Sequence, residues 1–214
     1  METKHSRTLL EGLAARLDRA KVVSIKDPVT RSGKYSRAAD SRPAGGLPAM
    51  LDPPGHLVGD HRGRAVSVRL HSGGELKIIV HCDARCRFRI TTNNLAARLN
   101  LLAGRRVESG IQDFDDRFII RSQGPFDLGT VFERSDVAQL LPFLEPFFQL
   151  TVEPGSMIMM SNVGSGEDTR AEDVRYRLEY MIEFACILEE ASSDILSQES
   201  HVQENDSEPE GTGK

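Results

Sequence analysis

Tryptophan is absent from this 214-residue chain, and there are only three tyrosines and three cysteines. So few cysteines fit a reducing compartment better than a disulfide framework, so a cytoplasmic protein is expected. No run approaches the roughly 18–20 apolar residues of a membrane-spanning helix. Met1 to Ala20 carries Glu2, Glu11 and Asp18 and lacks the apolar stretch of a secretory leader. Phosphate-loop, dinucleotide-fold, zinc-protease and nucleophile-elbow motifs are missing as well. No cofactor is implied, the balance leans away from an enzyme, and no reaction is readable.

What the chain does have is a division of charge. Residues 1–109 carry 20 Lys+Arg against 10 Asp+Glu, and residues 110–214 carry 7 against 22. Such asymmetry points to an interaction surface, a charged tail, or halves that attract each other within or between chains.

Leu9, Leu10, Leu13 and Leu17 recur at helical spacing, which predicts an amphipathic helix within residues 1–20, expected to pack on the domain, with a membrane-surface or targeting helix as the alternative. Residues 21–56 are punctuated by Pro28, Gly33, Pro43, Gly45, Gly46, Pro48, Pro53, Pro54 and Gly55. With Lys26, Arg31, Lys34, Arg37 and Arg42, this stretch reads as a basic, largely disordered linker. An α+β domain is expected over 57–192, followed by an acidic disordered tail over 193–214.

The domain opens on alternating strands. Val66, Val68 and Leu70 precede Ser72-Gly73-Gly74, and Leu76, Ile78 and Val80 follow. A two-residue turn would put the two apolar sets on opposite faces. A three-residue loop pairs Leu70 with Leu76, Val68 with Ile78 and Val66 with Val80, all on one face, and is therefore expected. The same reasoning extends to a third strand across Asp83-Ala84-Arg85, setting Cys82 opposite Cys86, Val80 opposite Phe88 and Ile78 opposite Ile90. The result is an antiparallel meander whose other face carries Arg69, Lys77, His81, Arg87 and Arg89, the candidate binding residues.

A strand–helix–hairpin–helix half follows. Leu95, Leu99 and Leu102 suggest a short helix, and Phe118, Ile120 and Ser122 a strand. Ser135 is placed to cap a helix running towards Leu144, which Pro142 kinks or ends. Phe148, Leu150 and Val152 pair with Met157 to Met160 across Glu153-Pro154-Gly155-Ser156. Thr169 and Glu172 resemble a capping box for a last helix striped by Val174, Leu178, Met181, Ile182 and Ala185.

Three segments in order carry a resemblance: Leu57-Val58-Gly59-Asp60-His61-Arg62-Gly63-Arg64 before the meander, Gly110 followed by Phe114-Asp115-Asp116-Arg117-Phe118 before a strand, and the helix–hairpin–helix finish. Over roughly residues 57–190 they resemble a group of uncharacterised bacterial domains with a Gly, Phe-Asp-x-x-Phe, strand signature. The resemblance implies a compact α+β domain and no activity.

Two constellations carry chemistry in principle. Cys82 and Cys86 have a spacing that zinc sites use, with His71 and His81 close in sequence, but the expected register turns both sulfurs into the apolar face and His81 away. Reduced core thiols are the expected state, ahead of a redox pair or a metal site. Asp113, Asp115 and Asp116 form a carboxylate cluster without calcium-loop spacing, and Asp115 is better read as a turn residue accepting backbone hydrogen bonds. These readings converge on a non-catalytic interaction or adaptor-type domain with an acidic protein partner. Anion or nucleic-acid binding through the basic face, salt-dependent self-association and an enzyme without a visible motif are the alternatives.

Overall fold

The computed structural model describes residues 2–23, 56–71, 74–94, 104–124, 127–162 and 170–205. Among these, nine strands form one antiparallel sheet: β1 (Arg19–Val23), β2 (His56–His61), β3 (Arg64–Leu70), β4 (Glu75–Val80), β5 (Phe88–Thr92), β6 (Arg105–Val107), β7 (Phe118–Ser122), β8 (Gln149–Glu153) and β9 (Ser156–Asn162). Their order across the sheet is β1-β2-β3-β4-β9-β8-β5-β7-β6. The helices are α1 (Glu2–Ala14), α2 (Gln112–Arg117), α3 (Leu128–Glu133), α4 (Ser135–Leu140), a 3-10 turn at Leu141–Leu144, and α5 (Ala171–Asn205). One face of the sheet joins the buried side chains of these helices in a single core, which makes the fold α+β, as the sequence indicates.

The expected β3–β4 register is the observed one, Val66 facing Val80, Val68 facing Ile78 and Leu70 facing Leu76. The loop closes with His71 N–H donating to the Glu75 carbonyl at 2.8 Å. Unforeseen was the strand before it. β2 pairs with β3 across the two-residue turn Arg62-Gly63, whose φ values of 49° and 79° are those of the mirror-image turn that matches strand twist. Leu57 and His61 are buried on the core side of β2, a pattern interrupted in sequence by Gly59 and hidden by charge.

The third-strand expectation is corrected. β4 pairs not with β5 but with β9, Val80 facing Met157 and Ile78 facing Met159. β5 lies farther across, between β8 and β7. The loop Asp83-Ala84-Arg85 offers no glycine for the left-handed position a three-residue hairpin favours. Its amides are satisfied by α5 instead, Asp83 N–H donating to Glu189 Oε1 at 2.7 Å and Arg85 N–H to Ser192 Oγ at 3.3 Å. Residues 81–87 therefore cross the core edge as a strap, and Cys82 and Cys86 are not hairpin partners.

Several boundaries shift. The first helix ends at Ala14, and β1 begins at Arg19, inside the stretch read partly as helix and partly as linker. Both elements belong to the domain: Leu9, Leu10, Leu13 and Leu17 are buried in the common core, and β1 is an edge strand. The Pro154-Gly155 hairpin is as expected, Glu153 facing Ser156 with Gly155 at φ 87°. Pro142 converts α4 into the 3-10 turn. The stripe on α5 is buried from Val174 through Ala191. Its helical backbone continues to Asn205, past Ser193, so the segment from residue 193 does not begin as an irregular tail. The expected helix at Leu95–Leu102 and the cap at Thr169 lie outside the described residues. At the start of α5, the Asp173 carboxylate accepts from Arg170 N–H at 3.2 Å.

Candidate functional site: the basic sheet face

Because side chains alternate along a strand, the residues between the core positions all leave the sheet on the side opposite the helices. Arg69 and Lys77 are direct cross-strand partners there, and His56 faces Arg69 on its other side. Three basic groups thus occupy adjacent positions on β2, β3 and β4. All three are half-buried. Among the described residues none of the three has a side-chain hydrogen bond or ion pair, and Arg69 Nε is buried without a hydrogen-bond partner there. Burial, then the charge of Arg69, lowers the pKa of both His56 and Lys77, with Glu75 opposing the shift at Lys77. A proton leaves these groups more readily than in water because burial and the neighbouring guanidinium both penalise the charged form.

Beside them the face is apolar, with Ile79 opposite Ile158 and Lys77 opposite Met160. Past β9 and β8 a second basic group begins. Arg89 on β5 faces Arg121 on β7, which faces Arg106 on β6. Lys77 and Arg89 lie on strands three steps apart, roughly 14 Å. The five sequence candidates therefore do not form one cluster. Arg69 and Lys77 belong to the first group, and Arg87 and Arg89 to the second. His81 lies past the end of β4, exposed, with Nε2 3.5 Å from Asp83 Oδ1.

Sequence reasoning missed His56, Arg106 and Arg121. Arg121 was findable, since it alternates with the core positions Ile120 and Ser122. His56 sat in the segment read as linker, and Arg106 in a strand of three residues.

The candidates for chemistry resolve into structural roles. Cys82 and Cys86 are free and fully buried, and burial pushes both thiols up to about 12, which disfavours the reactive thiolate. Among the described residues no group of three or more His, Cys, Asp or Glu side chains is arranged to hold a metal ion. Both carboxylate oxygens of Asp115 accept from Ser109 N–H, at 2.9 and 3.1 Å. Asp116 accepts from Gln112 Nε2 at 2.9 Å. Phe114 and Phe118 stack at 4.6 Å beneath them. The segment is a folding device that launches β7.

The two charged halves meet within one chain. Arg64 grips Glu189 of α5 with two contacts of 2.6 Å and reaches Cys186 Sγ at 3.2 Å. Nearby, His61 is buried between Asp18 (3.4 Å) and Glu179 (3.8 Å), on opposite ring nitrogens. An open concavity of about 400 Å³ at the far edge is lined by Gly104, Arg105, Ser122, Gln123 and Gly124. No described helix is long and apolar enough to cross a membrane.

No protein-family model matches the chain, and no curated protein matches it. Among solved structures it is similar to the crystal structure of the mycobacterial trehalose monomycolate transport factor A, TtfA. The TM-score is 0.49 at 8% identity, over 87% of this chain and 93% of that one. The likeness is too distant to bear on function.

Proposed function

We propose that the chain is a non-catalytic interaction domain whose basic sheet face, opposite the helices, takes an acidic segment of a protein partner. The observation that carries this reading is the half-buried trio His56, Arg69 and Lys77, without a carboxylate in ion-pair contact among the described residues. Partly desolvated cations next to the apolar Ile79, Ile158 and Met160 suit a partner with carboxylates flanking an apolar residue. A second copy of the same face repels this one. The large apolar groups there, Ile79, Ile158 and Met160, are not aromatic, which disfavours single-stranded nucleic acid read by base stacking. The reduced cysteines suit a cytoplasmic setting. The signature from Gly110 to Phe118 supports kinship with the uncharacterised bacterial domains.

The test is binding of a labelled oligoglutamate peptide to the full chain. Affinity should fall as salt rises, because the contacts are screened. Arg69→Glu with Lys77→Glu should weaken it at least about tenfold, the loss of two charge-assisted contacts. Binding untouched by that pair would remove the face from consideration. Removing residues 206–214, which include Asp206, Glu208 and Glu210, should tighten binding if the chain's own acidic end competes for the surface. Unchanged affinity would discard the competition and leave the partner reading intact.

A further inference from the structure

We propose that an aromatic patch on the helix layer, formed by Phe143, Tyr176 and Tyr180, docks an arginine-bearing basic segment of a protein partner. Among the described residues, Phe143 and Tyr176 are the large hydrophobic side chains left exposed, at 55% and 48%. Both converge on Tyr180. It follows Tyr176 by four residues on α5, which puts the two rings on one side of the helix. Its own ring stacks on Phe143 of the 3-10 turn, with centroids 5.2 Å apart and planes 21° from parallel. Tyr180 packs partly buried against the core, so two exposed rings stand beside an anchored one.

Charge selects the occupant. Residues 171–205, the span of α5, carry 2 Arg against 9 Asp+Glu. Glu183, exposed and three residues past Tyr180, has no ion pair among the described residues. The described arginines near the patch are already engaged. Arg175 is held by Glu172 at 3.5 Å and Glu179 at 3.1 Å, and Arg117 by Glu145, two residues past Phe143. Arg177 is drawn to β9, donating to Ser161 Oγ at 3.3 Å. Arg175 also shows what these rings accept, since its guanidinium lies 4.8 Å from the Tyr176 ring centroid. An incoming arginine can stack on an exposed ring and fork onto the Glu183 carboxylate, whereas a lysine offers a point charge without the planar stack. This surface is on the other side of the sheet from His56, Arg69 and Lys77, and stands or falls separately from the acidic-partner reading.

Calorimetric titration of the full chain with a hexa-arginine peptide tests the assignment. Hexa-arginine should bind at least about threefold more tightly than hexalysine, because only the guanidinium stacks. Phe143→Leu with Tyr176→Leu keeps apolar bulk, removes two ring faces and should weaken hexa-arginine at least about fivefold. Glu183→Gln, a surface change that leaves the core untouched, should weaken it about threefold, and more at low salt. Glu108→Gln with Glu153→Gln, on the sheet side of the molecule, should change it less than about twofold. Equal affinity for the two peptides overturns the patch, and so does equal weakening by the aromatic pair and the Glu108/Glu153 pair. A particle mass in light scattering that doubles with concentration, and stays that of a monomer in the Phe143/Tyr176 variant, overturns the external partner in favour of a second copy of the chain.

Discussion

Strands β1 to β4 lie in the sheet in the order in which the chain makes them, whereas β5 to β9 lie in the order β9-β8-β5-β7-β6. In the first half, β2, β3 and β4 are joined by tight loops, and each register is set by its own turn and its own alternation. In the second, β5 finds its neighbours about 30 and 60 residues downstream, at Ser122 and Val152. The seam between halves, β4 against β9, is also non-local. Local pairing needs little loop closure, but the second half and the seam form only when distant segments meet. The helix α5 helps bring them together, since Glu189 holds Arg64 of β3 and the amide of Asp83.

The comparison breaks most sharply at the seam. Ile78 is fully buried opposite Met159. Ile78→Ala should cost about 2–5 kcal/mol, with urea unfolding still a single transition by every probe. Two separable transitions, only one of them shifted, would mean that the halves fold independently.

Next in size is the clamp. Burial raises the pKa of Glu189, but hydrogen bonds from Arg64 and the Asp83 amide outweigh it and hold the carboxyl below its ordinary value. A group depressed in the folded state adds stability above its unfolded pKa and loses that contribution as pH falls through the folded one. Glu189→Gln should therefore cost about 1–3 kcal/mol near neutral pH. The difference from wild type should shrink as the pH drops below about 4, the ordinary carboxylate range. A difference independent of pH would remove the charged clamp from the account.

The smallest contrast sets one turn from each half side by side. Gly63 and Gly155 have φ of 79° and 87°, and a Cβ at either would meet nothing within 4 Å. Alanine at each should cost about 1–2 kcal/mol from backbone strain alone. Unequal costs, measured by the shift in urea midpoint, would show that one hairpin is held by more than its own turn.

Legibility in the sequence followed the same division. The β3–β4 register could be derived because only one loop length puts Leu70, Val68 and Val66 on the same face as their partners. The Pro154-Gly155 hairpin was readable for the same reason. The β4–β5 pairing was misread because Cys86, Phe88 and Ile90 alternate as a hairpin partner should. Alternation states which face a strand buries and not which strand lies beside it. For the candidate site, parity correctly put Arg69, Lys77 and Arg89 on one face, while their separation into two groups depended on β9 and β8 entering between them.

The most direct measurement is backbone amide shift mapping on the isotope-labelled full chain as oligoglutamate is added. The account predicts that the shifted amides cluster on β2, β3, β4 and β9, around His56, Arg69, Lys77 and Met160. Shifts confined to the basic residues between Lys26 and Arg42, with the sheet unchanged, would contradict it.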